Sequence, residues 1–298
     1  MQKSSHGIAI TSTQLLRLIA AANNALGIDL SVFRDDYLSA QFCKFMYEHR
    51  MSPIELLIRI EASASAREPG KPVDNRSVLL NSALLDCLYC GGDRFYRDRK
   101  VFEKIKDVIA ALPPVFGVKN VSILSAGCGH GEEPSSIGLV AWNALNKSES
   151  TFTLFGIDIS GARIKDCCSG SFHLSLLRDI PVDYLGGISV DDKKKRFKLI
   201  PEIGSAMHYK RANLFDETLA TEYPSAFHLI SMRYVLVFLK PQSKARLLES
   251  TLRMLACNGI LWLGVGEFIE NPSRYGLELL DASFYRKIEG TSVIESPC

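Results

Sequence analysis

The sequence predicts an α/β protein: a doubly wound domain with a largely parallel sheet and a small β insertion, preceded by an all-α domain. Three observations carry this expectation. After residue 121, apolar runs suited to strands (121–126, 153–158, 228–232, 260–265 and 283–288) alternate with helical patterns, the arrangement that builds a parallel sheet with helices on its faces. The first run passes through Ser125-Ala-Gly-Cys-Gly-His-Gly-Glu-Glu-Pro134 into a helical stretch from Ser135 to about Leu145, giving strand, glycine-rich turn and helix in succession. Residues 11 to about 112 read as helical. At 298 residues the chain suits one large or two modest domains, placed here at 1–90 and 91–298.

In the first domain, Thr11-x-x-Gln14 is a capping box, and Leu15, Leu18, Ile19, Ala22 and Leu26 follow at helical spacing up to Gly27. Phe33 to Tyr47 continues the pattern, and Ser52-Pro53-x-Glu55 starts another helix with proline at its first position. Glu61 to Ser77 mixes Ala, Ser, Gly, Pro and charge, and reads as a loop or a frayed helix end. Val78 to Leu88 and Val101 to Leu112 are apolar enough for helices, the second ended by Pro113-Pro114. Between Gly170 and Arg211 the alternation breaks. Phe197–Ile200 and Ala206–Tyr209 look like short strands around a turn, so about 173–211 reads as a β insertion, with Asp191-Asp-Lys-Lys-Lys-Arg196 as a solvated charge run.

Composition removes several function classes. A hydrophobic fraction of 47% is ample for a core, and a net charge of +2 gives no broad electrostatic case for nucleic acid. No apolar run reaches about 18 residues, so no membrane span is expected. Met1-Gln-Lys-Ser-Ser-His-Gly lacks the apolar core of a signal peptide. Eight cysteines fit a reducing compartment, and a cytoplasmic protein is expected. The single Cys87-x-x-Cys90 and the vicinal Cys167-Cys168 fall short of a zinc pattern, so no metal is expected.

The chemistry concentrates in the glycine-rich turn. Gly127, Gly129 and Gly131 let the backbone turn sharply and let a ligand approach with no Cβ in the way. A dinucleotide fingerprint would have glycine at position 132, where Glu132 stands, followed by Glu133. Two carboxylates suit a helix N-terminus, but they repel a pyrophosphate seeking the same amides. No Gly-Lys-Ser/Thr follows, which excludes a P-loop. S-adenosylmethionine (SAM) suits the turn better: it has no phosphate and carries a sulfonium and an ammonium that a carboxylate can meet. The bland alternative is a ligand-free turn with a capping Glu. Asp158 counts against it, because it ends the strand Thr153-Leu-Phe-Gly-Ile157, one helix and one strand after Gly131. An acid there is placed to take both ribose hydroxyls, or else to cap the next helix, which Ser160 could also do.

Together these residues resemble the chemotaxis-receptor methyltransferase (CheR) family, enzymes that transfer a methyl group from SAM to glutamate side chains of chemoreceptors. The resemblance runs from about residue 28 to 288, in the family's order throughout. Ala126-Gly-Cys-Gly-His-Gly-Glu-Glu-Pro-Ser-Ser136 resembles the family's AGCSTGEEPYS block, and Gly156-Ile-Asp-Ile159 its second-strand acidic motif. Ser169-Gly-Ser-Phe172 is similar to SGxY, Tyr209-Lys-Arg-Ala-Asn-Leu214 to F-x-x-x-N-L, and Phe227 to Leu239 to FDLIFCRNVLIYF. Leu263-Gly-Val-Gly-Glu267 resembles LGxSE, Phe284-Tyr-Arg-Lys287 the closing YRK, and Phe95-Tyr-Arg-Asp98 with Phe102 the FFRD-x-x-x-F element.

The resemblance implies a Rossmann-like class I SAM-dependent methyltransferase fold. It implies SAM as cofactor, S-adenosylhomocysteine as product, and a chemoreceptor or other signalling protein as methyl acceptor. It places Glu132 on the cofactor ammonium, with Glu133 either the helix cap or a second partner. It places Asp158 on the ribose, Asn213 and Leu214 on the adenine, and Arg233 and Tyr234 against the cofactor. Arg97 and Arg233 become the catalytic candidates. A guanidinium forks well onto a carboxylate, so Arg97 sits near the methionine end or holds the incoming glutamate aimed at the methyl. Little general-base help is then required, because a carboxylate is already ionised at neutral pH. Catalysis is mostly alignment and desolvation of opposite charges.

The chain also departs from the family. The threonine before FFR falls at Asp93, the Asn after the Arg at Tyr234, a later Tyr at Phe238, and the PYS tyrosine at Ser135. The Arg- and Lys-studded helix of the family's N-terminal domain corresponds to Phe33–Arg50, which has only Arg34, Lys44 and Arg50 among Asp35, Asp36 and Glu48. Positions 93, 234 and 238 lie toward the methyl-transfer end in the family. They favour, as the rival reading, an O-methyltransferase of the same ancestry acting on a small-molecule carboxylate or hydroxyl. A third reading, a cofactor-sensing module that has lost transfer, rests on Phe238. No Asn/Asp-Pro-Pro-Tyr/Phe sequence is present to hold a flipped base, which argues against nucleic-acid methylation.

Overall fold

The computed structural model describes residues 9–65, 74–88 and 94–288; Cys90 and Asp93 lie outside the described residues. The chain divides into two units, Met1–Gly91 with Phe238–Lys244, and Gly92–Val237 with Ala245–Cys298.

The first unit contains helices α1 (Ser12–Leu26), α2 (Asp35–Glu48), α3 (Pro53–Ser65) and α4 (Asn75–Cys87). Sequence-encoded caps start them. Thr11 and Gln14 bond reciprocally at α1, Ser52 and Glu55 do so at α3, and Asp74 accepts from the Arg76 and Ser77 amides at α4. Each satisfies amides that a helix start leaves unpaired. Leu18, Ala22, Leu38, Met46, Leu56 and Ile60 form the dry interior. Of the stretch 61–77, residues up to Ser65 and from Asn75 are helical, and 66–73 lie outside the described residues. The segment 238–244 belongs to this unit. Arg34 donates its amide to the Phe238 carbonyl at 2.9 Å, Lys240 donates to Val32 at 2.9 Å, and the Phe238 ring stacks on Tyr37 with centroids 4.7 Å apart. The aromatic ring at this departure from the family pattern is thus a packing element of the helical unit.

The second unit opens with α5 (Arg99–Phe116). The sequence predicts that Pro113-Pro114 ends this helix at Leu112, but the helix continues to Phe116. A proline lacks only its own donor, and its carbonyl still accepts. Gly117, at φ 63°, closes the helix by donating to the Pro113 carbonyl. There follow β1 (Asn120–Ala126), α6 (Glu132–Leu145), β2 (Thr151–Asp158), α7 (Gly161–Ser169), β3 (Ser171–His173), β4 (Ile188–Asp191), β5 (Arg196–Leu199) and α8 (Pro201–Gly204). The chain continues through β6 (Met207–Arg211), α9 (Thr218–Glu222), β7 (Phe227–Met232), α10 (Pro241–Met254), β8 (Leu255–Leu263), β9 (Leu277–Asp281) and β10 (Phe284–Lys287).

Seven strands form one sheet in the order β6-β2-β1-β7-β8-β10-β9. The first five are parallel, and β10 and β9 close the edge antiparallel. Val121, Ile123 and Leu124 of β1 are all buried, as a strand covered on both faces requires. One expectation needs correction. The sequence predicts Ala206–Tyr209 within the β insertion of 173–211, but β6 pairs with β2 in the main sheet. The insertion's own sheet is β3-β5-β4. A short strand of mixed polarity has the same pattern at a sheet edge as in a hairpin, and the pairing is decided by close packing. The Tyr209 ring packs so closely on Gly156 of β2 that a Cβ there would stand only 2.6 Å from it. The order of the strands reverses between β1 and β7, and a ligand crevice in such a sheet opens at the strand C-termini there.

Candidate active site

Three glycines after β1 build the first wall. Gly127, Gly129 and Gly131 all have positive φ, at 81°, 56° and 105°, a region L-residues with a Cβ avoid. A Cβ on Gly127 would stand 3.0 Å from Val235, and one on Gly131 3.3 Å from the Cys167 sulfur. The turn is tied to β2, because Gly127 and Cys128 both donate to the Ile157 carbonyl. Cys128 and Cys167 face each other with sulfurs 3.9 Å apart, and both are buried. The Cys167 thiol and burial hold the Cys128 thiol well above its ordinary pKa.

Asp158 ends β2 and is 6% exposed. One oxygen accepts from Gly129 N at 3.2 Å and the other from Ser160 N at 2.9 Å, so the carboxylate braces the turn from below. Arg163 of α7 lies 3.6 Å away and is equally buried. Burial raises the Asp158 pKa, opposed by Arg163 and the two amides. Ser160 caps α7 by accepting from Arg163 N, so the capping role is taken by Ser160. Ala212, which follows β6, donates to the Asp158 carbonyl at 3.1 Å, and Asn213 and Leu214 come next. Asn213 Oδ1 accepts from Phe215 N.

Glu132 and Glu133, at the start of α6, part company in the structure. Glu133 is consumed internally: Oε1 accepts from Ser125 (3.0 Å) and Ser231 (2.8 Å), and Oε2 from Arg233 (3.2 Å). Glu132 Oε2 is buried with no hydrogen-bond partner among the described residues. Burial raises the Glu132 pKa, offset in part by its own backbone N–H and by His130. A buried carboxylate oxygen without a partner is costly unless a cation meets it. The glycine cradle and this oxygen together fit a ligand with an ammonium and no phosphate.

Arg97 stands between two residues of left-handed backbone, Tyr96 (φ 51°) and Asp98 (φ 63°). Its guanidinium carbon lies 3.6 Å from the Tyr234 ring centroid, a cation–π contact, and none of the described residues takes a hydrogen bond from it. Arg233, 5% exposed, is the hub. It donates to Asp98 at 2.6 Å, to the Arg97 carbonyl at 2.9 Å and to Glu133, over the Trp262 ring. Tyr234, itself at φ 57°, donates its hydroxyl to Asp98, and burial with that bond raises its pKa. The structure therefore brings Arg97, Glu133, Arg233 and Tyr234 into one network, and Gly129, Asp158 and the residues before Asn213 into another. Sequence reasoning gave no role to Asp98 or Glu267, although both end recognisable elements. Glu267 is 6% exposed and accepts three backbone amides. Among the described residues no group of three or more His, Cys, Asp or Glu could hold a metal. No helix among them is long and apolar enough to cross a membrane.

Comparison with known proteins identifies the family. The family described as CheR methyltransferase, SAM binding domain, matches residues 93–281. That is more than half of the chain, and the chain belongs to this family. A chemotaxis protein methyltransferase of Listeria innocua is 22% identical, with 88% of this chain and 92% of that protein covered. One of Borreliella burgdorferi is 24% identical, with 94% and 96% covered. A solved structure, PKMT2 from Rickettsia typhi in complex with AdoHcy, is 17% identical over 52% of this chain and 23% of that one, with a TM-score of 0.31. The protein is a SAM-dependent methyltransferase of CheR type.

Proposed function

We propose that the enzyme methylates glutamate carboxylates of a chemoreceptor or a related signalling protein. The observation that supports this most is Arg97: a half-buried guanidinium, held by one face on Tyr234, whose N–H edges no described residue occupies. A carboxylate is the ligand such an edge takes best. In this reading Glu132 holds the cofactor ammonium, Asp158 the ribose, and Asn213 with Leu214 the adenine. Bound there, the cofactor supplies an electrophilic methyl group on a positively charged sulfur. Arg97 keeps the acceptor ionised and aimed, so no proton has to move. Arg233, expected from the resemblance at the catalytic centre and against the cofactor, spends its terminal nitrogens on Glu133, Asp98 and the Arg97 carbonyl, and in this reading it positions Arg97 and Asp98. The ring of Tyr234, where the family has asparagine, narrows the acceptor end, and it is the observation that favours the small-molecule carboxylate reading.

The test uses labelled SAM with membranes bearing chemoreceptors and, separately, a small-molecule extract, counting base-labile label. Label on receptor glutamates that is lost in Arg97→Ala supports the proposal. Label confined to small molecules overturns it in favour of the second reading.

A further inference from the structure

Glu267 is a buried carboxylate that the proposed chemistry leaves without a task. It stands in the loop after β8, 6% exposed. Its Oε2 accepts the Tyr234 amide at 2.6 Å and the Gly264 amide at 2.9 Å, and its Oε1 accepts the Val237 amide at 2.9 Å. The side chain thus clamps the loop after β7 to the loop after β8. Space for the clamp is reserved at Gly264, where a Cβ would stand 2.8 Å from Glu267 Oε2 and 2.9 Å from Tyr234 N and Cδ1.

The clamped residue is strained. Tyr234 has φ 57°, a left-handed backbone that a bulky residue adopts only when its surroundings hold it there. The bond to its amide is the shortest of the three. That conformation carries the ring against Arg97 and the hydroxyl to Asp98. Asp98 itself accepts from Arg233.

We infer that Glu267 is a positioning residue for methyl transfer: by holding Tyr234 in its left-handed conformation, it fixes the direction in which Arg97 presents its guanidinium to the acceptor carboxylate. This rests on the reading of Arg97 given above. Glu267 touches neither cofactor nor acceptor, and acts through two intermediates, the Tyr234 backbone and the Tyr234 ring.

The experiment compares Glu267→Gln with the wild type in the full chain. Glutamine keeps the shape but turns an N–H₂ toward at least one of the three amides. kcat/KM for the acceptor should fall about tenfold, the scale of one charge-assisted hydrogen bond, with S-adenosylhomocysteine affinity within about twofold of wild type. In an Arg97→Ala background the same substitution should remove little more. Equal losses in both backgrounds, or a matching loss of cofactor affinity, would show a general structural role and overturn the inference.

A second readout needs no turnover and separates this inference from the choice of acceptor. Phenylglyoxal modification of Arg97, followed by mass spectrometry, should speed up severalfold in Glu267→Gln and also in Tyr234→Leu, while Arg233 stays protected. Wild-type reactivity of Arg97 in the Tyr234→Leu protein would break the proposed chain of action whatever the acceptor, and would do so even if Glu267→Gln failed to fold.

Discussion

Replacing Glu132 with glutamine should make the ligand-free protein more stable and the cofactor complex weaker. Glu132 Oε2 is buried without a partner among the described residues, and burial raises its pKa. The folded state therefore holds a proton more tightly than the unfolded chain does. By linkage this carboxyl favours folding least above both values, at neutral pH, and the penalty fades as pH falls through the raised value. An unsatisfied buried group costs about 1–3 kcal/mol, and partial exposure puts this one near 1. That corresponds to a rise of about 2–4 °C in Tm for a unit of this size. Binding moves the other way. Loss of one charge-assisted hydrogen bond to an ammonium costs about 1–3 kcal/mol, or roughly 5- to 150-fold in Kd. Scanning calorimetry of the ligand-free protein and titration calorimetry with S-adenosylhomocysteine read the two effects. Affinity in the wild type should also fall with pH through the Glu132 titration, and that slope should shrink in the variant. Unchanged affinity with unchanged Tm would refute the reasoning outright. A lower Tm would mean that the carboxylate has an internal role.

Other outcomes follow from the same geometry. Asp158→Asn turns an N–H₂ toward the Gly129 or Ser160 amide and removes the charge opposite Arg163, so adenosine-moiety binding should weaken by about tenfold or more in fluorescence titration. Arg97→Ala should lower turnover while S-adenosylhomocysteine affinity stays near wild type. A collapse of that affinity would put Arg97 on the methionine carboxylate instead. Gly156→Ala drives a methyl group into the Tyr209 ring at 2.6 Å; overpacking of this kind costs about 1–3 kcal/mol, measurable as a lower urea midpoint.

The SAM cofactor was legible in the chain because its signals are local. Glycines at alternate positions, an acid closing the next strand and a pair of carboxylates at a helix start keep their meaning within a few residues of context. The acceptor half was not readable in the same way. Even in the cofactor half, which of Glu132 and Glu133 is left without a partner depends on Ser231 of β7 and on Arg233 just after it, about 100 residues later. Glu267 binds backbone amides, and any residue type supplies those, so its partners leave no trace in side-chain pattern. The misplaced β6 and the helix running through Pro113-Pro114 have a common cause. Both were settled by packing and carbonyl pairing rather than by propensity. Strand β9 carries no strand-like pattern in the sequence, because three of its five residues face solvent.

The bonds from Arg233 to Glu133 and Asp98 span 100 and 135 residues of sequence, and this has a consequence for biosynthesis. At translation rates of about 5–20 residues per second, Asp98 waits roughly 7–27 s before its guanidinium partner has been made. Glu133 joins it partway and waits roughly 5–20 s for the same cation. Cells thus make the anchoring acids before their counter-charge. A chain stalled on the ribosome before residue 233 carries the cofactor loop and Arg97 already written, while Arg233 and Tyr234, which hold Arg97 and Asp98 in place, have yet to exist.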